Sequence, residues 1–472
     1  MRNREKLVLL VYTLFNIIAN QFLKLYSDEA YYWIWSKKLD FSYFDHPPMV
    51  AYFIKLTTLF SDEALFLRLP AALLVSATAY ILYLLAKKIF DEQSAVYTFY
   101  VFISSIFILA GSTIIAPDTP MMFFWALVLY SAYCYIEEDS KAHAILLGVS
   151  GGALLLSKYP GVLVLFTTLV YILMYKKELF KDKFLYIAMG LVLLVFAPVL
   201  YWNYIHDFIS FTFQLEHGIS KEKVFLADEF FNFIGAQLVL FHPFYLIPLF
   251  FFILRDKKRF EKKKVYLLLP FLFVIVFFSY NAAFKEANAQ WAAGAYLSAA
   301  ILFGHYIHHY KVYKLLIAGL VFSSVVFILI KTPLGPNYVN PVTNLMSRLG
   351  KIDNFSQEIN SLNLNLDKYD YIIIDDYHGS EIPYFFKKYK NVIVLANARF
   401  SNYNIWRYDE NNVSLMSPLT KIPKLGKCLY IGRNFFALAE LEKLFGNKNQ
   451  IAHFQKHVSK WDLHYYFVEY TN

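Results

Sequence analysis

Cysteine is nearly missing from this chain. Among 472 residues there are two, Cys134 and Cys428, which argues against a disulfide framework and against a cysteine-built metal site. No internal repeat and no low-complexity segment is visible, so the inverted halves common among secondary transporters are lacking. No cleavable leader stands out either. Arg2-Asn3-Arg4-Glu5-Lys6 runs into an apolar stretch and reads as the start of a retained first helix with its N-terminus inside. What is abundant is apolar surface. Hydrophobic residues make up 58% and aromatics 19%, with 47 Phe and 38 Tyr, and mean hydropathy is +0.41. Such values belong to polytopic membrane proteins, and the aromatic load suits interfacial belts. The net charge of +9 lies largely in short loops between apolar runs. It therefore reads as membrane orientation and not as nucleic-acid binding.

A membrane-crossing helix needs about 20 apolar residues, with shorter runs possible in context. By that measure about eleven spans are expected, near 7–25, 66–88, 95–115, 119–136, 142–157, 160–175, 184–205, 230–254, 264–280, 290–307 and 312–331. The basic loops place Lys87-Lys88, Lys176-Lys177 and Arg255 through Lys264 inside, and an odd span count puts the C-terminal region outside. After about residue 332 the texture changes. Tyr369 to Asp376, Asn391 to Ala396 and Cys428 to Gly432 read as strands. Glu381 to Lys390 and Phe435 to Phe445 read as helices, before a strand-rich end. The expected architecture is an all-α polytopic membrane domain over 1–331, with outer juxtamembrane helices at 28–60, followed by a soluble α/β domain over 332–472.

Five polar clusters interrupt the apolar runs, all on the outer side of this topology: Asp28-Glu29, Asp45-His46-Pro47-Pro48, Pro117-Asp118-Thr119-Pro120, Ser157-Lys158-Tyr159 and Glu216-His217. Each has a plain structural explanation, and for Glu216-His217 it is a surface loop. Ser27 caps a helix whose first turn holds Asp28 and Glu29, where carboxylates complement the helix dipole. Capping leads for Glu29 and is level with catalysis for Asp28. Asp45 to Pro48 makes a turn. Asp118 caps a helix starting near Thr119, with Pro120 just inside it. Lys158 snorkels at a helix end. Lys285 and Glu286 form a helix-end ion pair. A protein that only had to sit in lipid would not need to gather so many charges at one face.

The order of these clusters resembles the C-type glycosyltransferases of family 39, which include protein O-mannosyltransferases and lipid A aminoarabinose transferases. Asp28-Glu29-Ala30-Tyr31-Tyr32 and Tyr43-Phe44-Asp45-His46-Pro47-Pro48 are similar to that family's first outer loop. The match continues through Arg68-Leu69-Pro70, Asp118 and Ser157-Lys158-Tyr159-Pro160, then through Glu286 to Trp291, and loosely through Ser401-Asn402-Tyr403-Asn404-Ile405-Trp406. The resemblance implies sugar transfer from a polyprenyl-phosphate donor to a hydroxyl-bearing lipid, glycan or protein at the outer face of a bacterial inner membrane. It implies Asp28 as the base, with Asp118 and Glu29 as further carboxylates. It implies Lys158, His46, Tyr43 and Arg68 for the donor phosphate, and Tyr31, Tyr159, Glu216, Lys285 and Glu286 as further contacts. His46 departs from the aminoarabinose transferases, which carry Lys in a Phe-Glu-Lys-Pro pattern, and histidine supplies charge only when protonated. Relatives of that type pair a metal-binding histidine with the carboxylate aligned to Asp45, so Asp45 with His217 is a possible divalent-metal pair. A rival reading is a lipid or solute transporter, for which intramembrane ionisable residues would speak.

Overall fold

The computed structural model describes residues 1–23, 25–218, 224–285, 287–331, 355–395, 399–411, 426–433, 435–458 and 461–471. These form two compact units. One comprises Met1–Gln21, Phe41–Phe53 and Arg68–Thr332; the other comprises Phe22–Asp40, Ile54–Leu67 and Pro333–Asn472.

The first unit is helical. Four described helices are long and apolar enough to cross a membrane: Ala64–Ile89, Asp118–Glu138, Lys183–Ile205 and Lys262–Phe284. Ala227–Phe241 and Leu246–Arg255, bent by 94°, make a fifth if they are one broken span. Lys141–Ser157, Tyr159–Tyr175 and Tyr313–Leu329 are apolar but shorter. The chain is a multi-pass membrane protein, but the eleven spans expected from hydropathy are not confirmed by this count. Two of the expected runs are interrupted by polar breaks. The expected span 95–115 divides into Glu92–Ser104 and Ile106–Gly111, with the Ser105 hydroxyl donating to Leu240 O at 3.2 Å. The expected span 230–254 divides at His242. There the ring is buried, with Nε2 3.0 Å from Ser323 Oγ and Nδ1 accepting from Phe244 N at 3.2 Å. A helix can break inside a membrane only where its freed polar groups find partners within the protein, and these do.

Close approach of two helices sets the frame around one later site. On Lys141–Ser157, a Cβ built at Gly152 would lie 2.5 Å from Cβ of Val195 on Lys183–Ile205. Only a residue without a side chain allows that separation, the usual device for packing helices in lipid.

The second unit is an α/β domain that also holds the Ser27–Lys37 helix. Its sheet contains β1 (Tyr371–Ile374), β2 (Val392–Val394), β3 (Cys428–Gly432), β4 (Asn447–Val458) and β5 (Trp461–Thr471), in the order β2-β1-β3-β5-β4. β1 pairs in parallel with β2 and β3, whereas β5 runs antiparallel to β3 and β4. Ile372, Ile373 and Ile374 are all buried, as expected for a central parallel strand covered on both faces. The helix expected over Glu381 to Lys390 stops at Phe385, and Lys387 takes a left-handed backbone at φ 52°.

Gly152→Val should lower the thermal unfolding midpoint in detergent, since overpacking costs about 1–3 kcal/mol. Gly190→Val, where an added Cβ meets nothing within 4 Å, should leave it nearly unchanged. Equal midpoints for the two variants would show that the interface yields at no cost.

Candidate active site

In the helical unit the sequence-predicted lysine and one predicted carboxylate are brought together. The Lys141–Ser157 helix ends at Ser157, and Lys158 is extended at φ −163° and ψ 135°. Tyr159–Gly161 follows as a single 3₁₀ turn, with Pro160 limiting how the helix can continue. Lys158 Nζ lies 2.7 and 2.9 Å from the two carboxylate oxygens of Asp118. Their side chains are 7% and 15% exposed. A snorkelling lysine would reach for water; this one is held inside. Nor does Asp118 cap its helix. Pro117 is the N-cap, Asp118 is already the first helical residue, and no side-chain cap bond is made. Pro117 adopts helical angles (φ −55°, ψ −25°), which moves the helix start back by one residue. The carboxylate is thereby left for Lys158.

Around this pair, Tyr159 Oη is 2.9 Å from Ser210 Oγ, and its ring meets Phe211 edge-on at 5.2 Å. Both partners lie on the helix Ile209–Gly218. The same helix contacts the Asp45 turn: Gln214 Nε2 donates to Asp45 O at 2.6 Å, and Phe44 packs on Phe213 at 4.5 Å. The chain enters this helix through Asp207 and Phe208, at φ 52° and 56°, two consecutive left-handed residues that are not glycine. Such conformations persist where surrounding contacts over-determine them; here Phe208 N donates to Asn203 O at 2.7 Å. Further along, Lys285 Nζ donates to the Glu216 carbonyl, so two expected contacts meet each other. No local sequence pattern flagged Ser210 or Gln214.

Arg68 is 1% exposed, and its Nη1 donates to Asn20 O at 2.7 Å, satisfying the carbonyl of the last residue of the helix Asn3–Asn20. Asn20 Nδ2 in turn donates to Ser112 O at 2.7 Å. Tyr43 and Asp45 are buried and His46 is half-buried, with Tyr43 N donating to His46 O at 3.2 Å. His217 belongs to the helix Ile209–Gly218, but its side chain lies outside the described residues, as does Glu286. Among the described residues no group of three or more His, Cys, Asp or Glu is arranged to hold a metal ion.

The α/β unit contains the other two predicted catalytic carboxylates, Asp28 and Glu29. The helix Ser27–Lys37 has Tyr26 as N-cap, with Ser27 already helical. Glu29 is fully buried, and its Oε2 accepts from Tyr26 N at 3.1 Å, so it performs the capping that its position suggested. Asp28 is half-buried in the same first turn. Tyr31, a predicted substrate contact, is buried: its hydroxyl accepts from Asn402 N at 2.7 Å, and its ring stacks on Tyr403 at 5.8 Å. Burial raises the Tyr403 phenol above its ordinary pKa. Burial likewise pushes the Cys428 thiol up to about 12, which removes it as a nucleophile near neutral pH.

Residues 45–202 match the family described as dolichyl-phosphate-mannose-protein mannosyltransferase. Over 312 residues the chain is 27% identical to the lipid A galacturonosyltransferase RgtD of Rhizobium johnstonii, covering 63% of this chain and 64% of that protein. An uncharacterized protein of Aquifex aeolicus is 25% identical over 290 residues, covering 60% of this chain and 57% of the other. The chain thus matches less than two thirds of the length of these curated relatives. Two crystal structures of ArnT from Cupriavidus metallidurans share the fold across 98% of this chain and 97% of theirs. The undecaprenyl-phosphate-bound form has a TM-score of 0.73 at 14% identity, and the apo form 0.71 at 13%. The resemblance read from the sequence therefore stands: the chain has the fold of the C-type glycosyltransferases.

Asp118→Ala should leave Lys158 buried without its counter-charge, a loss of about 3–5 kcal/mol in stability. The double variant Asp118→Asn with Lys158→Met should recover most of that loss. Thermal unfolding in detergent reads both, and a double variant as unstable as Asp118→Ala would mean that the charges themselves contribute little.

Proposed function

We propose that this protein is a membrane glycosyltransferase that moves a sugar from a polyprenyl-phosphate donor to a hydroxyl-bearing acceptor at the outer face of a bacterial inner membrane. The observation that carries the reading is the buried Lys158–Asp118 pair at a break between two apolar helices, beside Tyr159. A lysine that has already lost its water can turn its full charge on a phosphate oxygen at little reorganisation cost. Asp118 holds that ammonium in place, and a donor phosphate would share it through charge-assisted hydrogen bonds. Tyr43, His46 and Arg68 are the further phosphate contacts carried over from the resemblance, and His46 contributes charge only when protonated.

Asp28 acts as the base in this reading. As the acceptor oxygen bonds to the anomeric carbon of the sugar, its proton passes to the Asp28 carboxylate. The bond from that carbon to the phosphate oxygen breaks, and its electron pair leaves with polyprenyl phosphate. The transfer inverts the anomeric carbon. Glu29 supports the helix that presents Asp28, while Tyr159, Glu216, Lys285 and Glu286 serve the substrate pocket. A glycolipid of the lipid A type is the favoured acceptor, on the strength of what RgtD acts on; a glycan or a protein is the other choice. If a divalent ion takes part, Asp45 and His217 are its proposed holders.

A lipid transporter is the second reading, and the 94° break at His242 favours it, because interrupted helices often line transport sites. Against it, the His242 ring is engaged by Ser323 and Phe244 within the protein.

Native mass spectrometry of the detergent-purified protein should show a co-purified polyprenyl phosphate, free or sugar-bearing, that is lost in Lys158→Ala. Transfer from purified donor should fall by about 10²–10⁴-fold in Asp28→Asn, the usual worth of a positioned base. A folded sample that bound no such lipid at excess would favour transport, and wild-type turnover by Asp28→Asn would remove Asp28 from its role.

A further inference from the structure

The helix that carries Asp28 is built into the C-terminal α/β unit by three sets of contacts. Tyr31 lies three residues past Asp28, about 4.5 Å along the axis and on the same side of the helix. Its hydroxyl accepts the Asn402 amide at 2.7 Å, one of the donors a helix start leaves without an internal partner. Its ring stacks on Tyr403 at 5.8 Å and tilts against Tyr377 at 5.1 Å. Tyr403 is 3% exposed, with its Oη 2.9 Å from Ser380 Oγ. Tyr377 is pinned by Arg399, whose Nη1 donates to its hydroxyl at 2.7 Å. In the next turn, Trp33 Nε1 and Lys37 Nζ share Asp62 Oδ1 at 2.8 and 2.5 Å. Tyr384 Oη and Lys387 Nζ both donate to Asp62 O, at 3.0 and 2.9 Å. At the C-terminal end, Lys38 Nζ sits 4.9 Å from the centre of the Trp406 ring.

Such an arrangement exceeds what is needed to bury one aromatic face. Rings alone would secure the helix by area, yet Tyr31 and Trp33, which lie on roughly opposite sides of this largely buried helix, also make directional hydrogen bonds that fix its rotation and its position along the axis. Rotation about the axis is the coordinate that decides where a first-turn carboxylate points.

We propose that Asn402, Tyr403 and Tyr377 are positioning residues for Asp28, acting through Tyr31. This rests on the assignment of Asp28 as the base. The α/β unit then serves the transfer step through the aim of this one carboxylate, and donor-phosphate binding does not depend on it.

The test is a double-mutant cycle in the full-length protein, with donor binding followed by native mass spectrometry. Tyr403→Ala should lower kcat by about 10–100-fold, the scale expected when a reacting group shifts by about 1 Å, while the KM for donor and the amount of bound lipid stay within a few fold. Tyr403→Phe, which keeps the ring, should restore kcat. In an Asp28→Asn background Tyr403→Ala should cost nothing more, because the group it aims is gone. Tyr31→Phe keeps the shape and removes the bond to Asn402; it should reproduce part of the kcat loss even if Tyr403→Ala does not fold. Unchanged kcat in both Tyr31→Phe and a folded Tyr403→Ala would overturn the inference, as would losses that add fully in the Asp28→Asn background. If Asp28→Asn alone turns over at the wild-type rate, the base assignment fails first, and the inference with it.

Discussion

A lysine and an aspartate shut away from water require everything around them to be in place. Desolvating each ion costs several kcal/mol, and their attraction repays it only when the geometry is held. In this protein Lys158 and Asp118 are held by backbone. The Gly152 contact lets Lys141–Ser157 lie close against Lys183–Ile205, the 3₁₀ turn at Tyr159–Gly161 ends that helix one residue before the lysine, and Pro117 starts the opposing helix one residue early. The helix Ile209–Gly218 then ties Tyr159 and the Asp45 turn to one rigid element. The result is an ion pair fixed between two helices and largely shut away from water.

The second carboxylate group rests on a different frame. Asp28 and Glu29 sit on a helix that belongs with the sheet and not with the helical unit, although only about 130 residues separate them from Lys158 in the chain. Glu29 is committed to its own helix start. Asp28 is half-buried in that same turn. The structure thus divides labour between two neighbouring acids that look interchangeable in one dimension.

Much of the fold was legible because hydropathy and alternation are local signals. Cys428–Gly432 is a strand from end to end, and Asp118–Glu138 and Lys183–Ile205 follow the expected runs closely. The expected count of spans is not confirmed, and the runs interrupted at Ser104-Ser105 and His242 have side chains engaged by residues distant in sequence, Tyr245 for Ser104 and Ser323 for His242. Capping at Asp118 was a sound local expectation that lost to a tertiary ion pair. At Glu29 the same local logic prevailed, since the helix start lies where a carboxylate three residues on can reach it. Ser210, Gln214 and Asp62 escaped notice because their value comes wholly from what they touch.

The bond from Asn402 to Tyr31 joins residues 371 positions apart. During synthesis, at roughly 5–20 residues per second, the early helix with its Trp33 and Trp35 waits on the order of 20–70 s for the partners that cover it. Asp62, which meets Trp33, is made early in that interval, whereas the Asn402 amide and the Tyr403 ring that cover Tyr31 come only at its end. Order of birth therefore sets a clock on maturation: this helix reaches its final burial among the last events of folding, after the membrane helices that follow it have already been made.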